Sequence, residues 1–360
     1  MSDLGVFVLC AAVCAGAWWA VAVSVPLAAG AVAAGLLLRR PAMLVVGAGL
    51  LASGLGASAW AGLSPPPSTS VDAVAVLAGD PVTVRGAVKV DLRIGGRRVE
   101  AWSRGAAAAA LRPRLSGESV RVRGALRAPP PSARRWLAPR HVAARMEVEA
   151  VDGWRPGSVA TRAANGLRRT LERGSGPLDV DDRSLLLGVV LGDDRDQPPE
   201  LEEAFRGAGL THLTAVSGQN VAFVLALAAP VLRRLGLRGR WVATLAVIAF
   251  FGLLTRWEPS VLRAGAMAAL ACTAGTLGRP TSRLRLLALA ITLVVLVDPL
   301  LVHAVGFQLS AGATAGIALF ARPLARRMPE PLAVTIAAQV GVAPVLVPVF
   351  GETQIWTRVP

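Results

Sequence analysis

The sequence predicts a polytopic α-helical membrane protein, with about nine transmembrane helices and an inserted extracytoplasmic small β-barrel (OB-like) domain. Three observations predict it. The 360 residues are 54% hydrophobic, with a mean hydropathy of +0.54, and several uncharged runs approach the roughly 20 residues that cross a bilayer core. Between about 71 and 153 the texture changes to period-two alternation, the mark of short strands. Arginine-rich loops then recur between every second pair of apolar runs, as the positive-inside rule requires.

The elements follow in order. Residues 5–38 carry no charge; they are too long for one span and enough for two short ones, with Pro26 marking a turn. The start "MSDLG" holds no Lys or Arg and the apolar stretch runs on to Leu38, which fits a signal peptide poorly. After Arg39 and Arg40, residues 42–63 make a third span, closing an N-terminal transmembrane unit over 1–63. "SPPPSTS" (64–70) is an extended linker leading into the β domain, 64–154. There "DPVTVRGAVKVDLRIGGRRVEAWSR", "ESVRVRGALRAP" and "HVAARMEVEAVDGW" alternate apolar and polar residues. About five strands in this length suit a small barrel, and the Gly in "VTVRGAV" and "VRVRGALR" marks a bend or bulge. Residues 155–208 form an interfacial stretch. In it 157–173 has helical spacing and an arginine-rich face, as expected of an amphipathic helix on a membrane surface. Leu185–Leu191 is too short to span, and 198–207 predicts a short helix. The core, 209–360, holds six spans at 211–232, 241–256, 260–278, 284–301, 302–321 and 330–350.

Placing Arg39 and Arg40 in the cytoplasm puts 233–240, 278–285 and 322–327 on that side, and the poorly basic 256–259 and 298–299 on the other. The N-terminus is then cytoplasmic, the β domain extracytoplasmic, and the expected location a cell (inner) membrane. Cys10, Cys14 and Cys272 lie in apolar runs without a CxxC pair and read as small core residues. His141, His212 and His303 are far apart, so neither a metal nor a cofactor is expected.

The formal net charge is +15, carried almost wholly by arginine. Residues 69–175 hold 20 Lys+Arg against 9 Asp+Glu, a surface suited either to anionic head groups or to a polyanion. Small β-barrels bind single-stranded nucleic acid with basic grooves and aromatic platforms. The candidate contacts are Arg85, Lys89, Arg97, Arg98, Trp102, Arg121 and Arg123. Aromatics are sparse there: Trp102, Trp136 and Trp154.

Polar groups at membrane depth are costly and often functional. "LTHLTAVSGQNVA" (210–222) opens a core span with His212, Ser217, Gln219 and Asn220. "WEPSVLRAG" (257–265) carries Glu258 and Arg263; Asp298 breaks a later run; "HAVGFQLSAGATAG" (303–316) carries His303 and Gln308; "AAQVGVAP" (337–344) carries Gln339. Singly, such groups serve as interhelical glue at about 0.6 kcal/mol each. Five clusters in one chain favour a shared polar pathway or gate. Ser217 with His212 or His303 would be the constellation of an intramembrane serine hydrolase, but "AVSGQN" lacks the G-x-S-x-G elbow. An envelope lipid-handling protein is a further alternative.

"LLLGVVLGDDRDQPPELEEAFRGAGLTHLTAVSGQNVAFV" (185–224) resembles the hallmark segment of the ComEC competence family. "PSVLRAGAM" (259–267), "DPLLVHAVGFQLSAGATAGI" (298–317) and "AAQVGVAPVLVPVFG" (337–351) resemble later motifs of that family, in order. The resemblance implies an inner-membrane channel passing single-stranded DNA into the cytoplasm during natural transformation. Its implied partners are membrane lipids, a DNA receptor, a cytoplasmic helicase and a separate nuclease. Asn220 stands where the family has a second histidine. Many members add a metallo-β-lactamase-like domain; this sequence shows no HxHxDH cluster, so it is either a short or split member or a fragment. The expectation is a transporter and not an enzyme.

Overall fold

The computed structural model describes residues 2–193, 195, 197–207, 218–279 and 281–350. The described residues are mostly helical, with one sheet, and the chain divides into two compact units. One is Met1–Trp60 with Ala266–Pro360; the other is Ala61–Gly265.

In the first unit, α1 (Asp3–Trp19) starts where the Ser2 hydroxyl accepts from the Gly5 N–H, filling one of the orphan donors of a helix start. It ends with Ala20 in the left-handed region. Helix α2 (Val25–Leu37) follows. Pro26 sits in its first turn, where a missing N–H costs nothing, so the break falls at 20–24 and not at the proline. Helix α3 (Pro41–Gly62) is the expected third apolar helix. Small residues let these backbones touch: a Cβ on Gly35 would lie 2.7 Å from the Leu44 nitrogen, and one on Gly54 2.6 Å from the Val23 oxygen.

Two later helices of this unit are α12 (Arg283–Val297) and α13 (Val305–Ala325), joined through a 3-10 turn at Pro299–His303. Asp298 forms that turn by accepting from the Leu300 N–H. Helix α14 (Glu330–Phe350) packs along α13. There Gly312 and Gly316 face Gly341 so closely that a Cβ on Gly316 would meet the Gly341 Cα at 2.8 Å. This is the small-xxx-small contact that membrane helices use. Arg285 pairs with Asp3 at 3.1 Å, joining the starts of α12 and α1.

The second unit holds the sheet: β1 (Thr69–Leu77), β2 (Val82–Val84), β3 (Ala87–Ile94), β4 (Arg97–Ser103), β5 (Ser119–Arg127) and β6 (Val142–Arg155). Their order is β1-β5-β6-β4-β3-β2, and β1 also pairs with β3 at Val76↔Arg93 and Leu77↔Leu92. All pairs are antiparallel except β4–β6. Along β5, Val120, Val122 and Leu126 are buried while Arg121, Arg123 and Arg127 face out, the alternation expected of a half-buried strand. The two Gly positions differ in use. Gly124 marks a register shift against β6, whereas Arg85 and Gly86 take positive φ in the β2–β3 turn. Helix α4 (Gly105–Leu111) and helix α5 (Pro131–Leu137) interrupt the strands. Through Ala107, Ala108 and Leu111, α4 joins the apolar core of Leu77, Leu92, Val99, Val122 and Met146.

Beyond the sheet come α6 (Val159–Gly174), α7 (Val180–Leu191), α8 (Pro199–Gly207), α9 (Gly218–Leu232) and α10 (Leu237–Leu254). Helix α11 (Pro259–Thr276) starts in this unit. Among the described residues α3, α10 and α14 are long and apolar enough to cross a membrane, and α1, α2 and α9 are shorter apolar helices.

Candidate functional site

Unit two is held together by a buried charge cluster. Arg168 on α6 is 1% exposed. Its Nη1 donates to the carbonyls of Leu191 and Leu254 at 3.2 and 2.8 Å, the last residues of α7 and α10, where helix ends leave carbonyls without partners. Its Nη2 meets Asp193 at 2.7 Å and Asp80 at 3.1 Å. Asp80 lies in the β1–β2 connection, so one guanidinium joins the sheet to three helices. Arg195 adds pairs to Asp193 and Glu172 at 2.5 and 2.9 Å. With Arg256, which binds Asp80, three arginines face three carboxylates, and the cluster carries no net charge.

Arg256 completes it. Its Nε and Nη2 donate to the two Asp80 oxygens at 2.9 and 2.8 Å, and Nη2 also to the Asn165 amide oxygen. Arg256 and Trp257 both lie in the left-handed region, at φ 59° and 57°. That conformation costs a residue with a Cβ about 1–2 kcal/mol, so it persists only where contacts impose it. Here the Asp80 chelate does so, together with the Trp257 ring lying over Gly252. Burial alone would raise the Asp80 and Asp193 pKa values. The surrounding arginines outweigh it, Arg256 and Arg168 at Asp80 and Arg195 and Arg168 at Asp193, and hold both below the usual carboxylate range.

Next to this cluster the polar starts of α9 and α11 converge. Asn220 donates through Nδ2 to the Val189 carbonyl of α7 at 2.5 Å. Gly218 lies against α11, where a Cβ would stand 3.3 Å from the Arg263 Nη2 and 3.0 Å from the Ala264 Cβ. Arg263 is buried. Gln219 and Glu258 are exposed, and the Glu258 carbonyl accepts the Leu262 N–H to start α11. The start of α9 is therefore brought against Arg263 at Gly218, while Asn220 itself binds the end of α7. His212 and Ser217 lie outside the described residues.

The other pathway candidates belong to unit one. His303 packs against Trp18 and Trp60, with ring centroids 4.6 and 5.5 Å away. Gln308 donates to the Val302 carbonyl at 2.6 Å, and Asp298 caps the same turn. Gln339 is exposed on α14. Asp298 and Gln308 thus serve local backbone.

On the sheet the basic candidates fall into separate groups. Arg121 and Arg123 on β5 share Asp72 at 2.7 and 3.5 Å. Arg85 and Arg97 are exposed at the β2–β3 and β3–β4 turns, and Arg98 donates to the Arg140 carbonyl. Lys89 stands opposite Trp102 across β3–β4. The Trp102 Nε1 donates to Glu100 at 3.1 Å, and Glu100 also pairs with Arg140 and Arg145. Burial opposes ionisation of Glu100, but the Trp102 hydrogen bond and these arginines hold its pKa low. Asp91, bound to Arg140, is pushed up because burial outweighs its partner.

The match to known proteins begins inside this geometry. Residues 189–359 fit the family model described as competence protein. Over that segment the chain is similar to the competence protein family. The segment opens at Val189, whose carbonyl receives Asn220, and contains Asp193, Arg195, Arg256 and Arg263. The uncharacterized protein YcaI of Escherichia coli strain K12 is 32% identical over 146 residues, covering 37% of this chain and 19% of that protein. No solved structure matches the chain.

The charge cluster has no counterpart among the sequence expectations. Helical spacing puts Arg168 on the arginine face of a membrane-surface helix; in the structure Arg168 is buried among carboxylates, and Arg169 pairs with Glu118 at 2.5 Å. The usable signal lies in acids at loop positions, Asp80 after a strand and Asp193 after the glycine that ends α7.

Proposed function

We propose that this protein passes single-stranded DNA through the cell membrane during competence, with unit two receiving the strand. One observation carries the reading: the competence segment starts at the charge cluster that also holds the basic sheet domain. A sheet clamped at that point delivers what it binds to the polar starts of α9 and α11. Counter-ion release from phosphates would drive capture by a basic surface.

The pairing β1-β5-β6-β4-β3, with β1 returning to β3 and a helix between β4 and β5, supports an OB barrel for this domain. Nine crossing helices, α1–α3 and α9–α14, fit the arginine pattern of the loops. Two contacts support the orientation. Asp3 and Arg285 join the starts of α1 and α12, and Trp18, Trp60 and His303 meet at the far ends of α1, α3 and α12, as an interfacial aromatic layer would. In unit two the arginine-rich start of α10 lies one helix length from its Asp80-bound end. The N-terminus is then cytoplasmic and the sheet extracytoplasmic. Channel work of this kind needs no covalent step. The partners are a DNA receptor, a cytoplasmic helicase, lipids and a separate nuclease.

The test is a chromosomal deletion, complemented with the full chain, in which import and external degradation of labelled DNA are followed separately. Loss of import with degradation retained is expected. Import unchanged in the deletion strain defeats the proposal.

A further inference from the structure

The sheet carries one feature that its arginine count does not explain. Trp102 stands between two clefts of about 420 and 290 Å³ on the outer face, close to the range of small-molecule sites, roughly 300–1,000 Å³. Its indole is held at one edge along the strand, since Nε1 donates to Glu100, whose carboxylate is itself pinned by Arg140 and Arg145. Arg104 lines the first cleft, and Arg127 and Arg145 line the second. Arg127 and Arg145 are direct partners across β5–β6. Like charges directly opposite destabilise a sheet; Glu100 already offsets Arg145 at 2.7 Å, and an anion beside Arg127 would offset the rest. Glu147 lines both clefts, so a phosphate belongs at the arginine end and not beside Trp102.

We propose that Trp102 is a stacking platform for an unpaired nucleobase, with the adjoining backbone phosphate held by Arg127 and Arg145. The site rests on the reading of this protein as a single-strand carrier and gives that reading a point of contact. A fixed ring with open space at its sides suits a flat π partner of any sequence. A duplex offers no such base, because its bases are already stacked on each other. Lys89 flanks Trp102 on the β3 side, and Glu147 on the β6 side; Glu149 also lines the first cleft, which leaves the Arg127–Arg145 end for the phosphate.

The experiment uses the purified full chain in detergent and a fluorescein-labelled oligo-dT, with anisotropy read at several salt concentrations. Trp102→Leu keeps an apolar side chain and removes the π face; Trp102→Phe keeps a π face; both lose the hydrogen bond to Glu100 alike. Trp102→Leu is expected to weaken single-strand binding at least about fivefold, the lower end for one base on one aromatic, with the salt slope unchanged. Trp102→Phe should recover most of the loss, and Arg127→Gln should lower the salt slope by about one contact. If the unsubstituted chain binds oligo-dT and Trp102→Leu binds it equally well, the platform is wrong and the carrier reading stands. An equal loss towards duplex DNA also overturns the platform, because it assigns the effect to charge. If the unsubstituted chain binds no single strand, both fall together.

Discussion

Arg168 shows what a single residue does in this chain. Its guanidinium satisfies two helix-end carbonyls and two carboxylates at once, which explains how so polar a group is tolerated at 1% exposure. Removing one member of a buried ionic set typically costs about 3–5 kcal/mol, because the partners stay buried without compensation. Arg168→Met, similar in length and apolar, leaves both carbonyls unpaired, although Asp80 keeps Arg256 and Asp193 keeps Arg195. The expected outcome is a loss of about 3 kcal/mol, read as a lowered midpoint in thermal unfolding of the detergent-solubilised chain. An unchanged midpoint would show that the cluster contributes nothing net. The sequence exposed the arginine but not its place: helical periodicity marks a charged face without saying whether water, lipid or carboxylate lies opposite.

At the level of elements, apolar runs translated well into helices. The uncharged stretch 42–63 became α3, and 330–350 became α14. Boundaries moved where a proline could be accommodated, as at Pro26. Helices α4 and α5 went unseen because "GAAAAAL" and "PSARRWL" are shorter than two full helical periods and lie among alternating strands. How helices meet was also hidden, since it depends on where a backbone needs room. Gly316 and Gly275 illustrate the difference. A Cβ on Gly316 would strike the neighbouring backbone of α14, while nothing lies within 4 Å of one on Gly275. Gly316→Val should therefore abolish folded, monodisperse protein, whereas Gly275→Ala should leave yield and elution volume as they are. Both are read by expression and size-exclusion profile, and equal behaviour of the two variants would refute the contact between α13 and α14.

For the molecule as a whole, the arginine loops and the membrane orientation stand or fall together. In a version with Cys10, Cys14 and Cys272 replaced by serine, a cysteine at Arg85 should react with a membrane-impermeant maleimide in intact cells. One at Arg234 should react only after permeabilisation. The opposite pattern inverts the topology. Asn220, bound to the end of α7, and buried Arg263 stand out in the sequence as polar groups on apolar runs. The sheet's tie to the helices was not, because Asp80 and Arg256 are 176 positions apart and nothing local links them. That tie has a mechanical consequence. Tension applied to a strand gripped by the sheet would reach the ends of α7 and α10 through Asp80 and its two arginines, ahead of the covalent connection at 156–158.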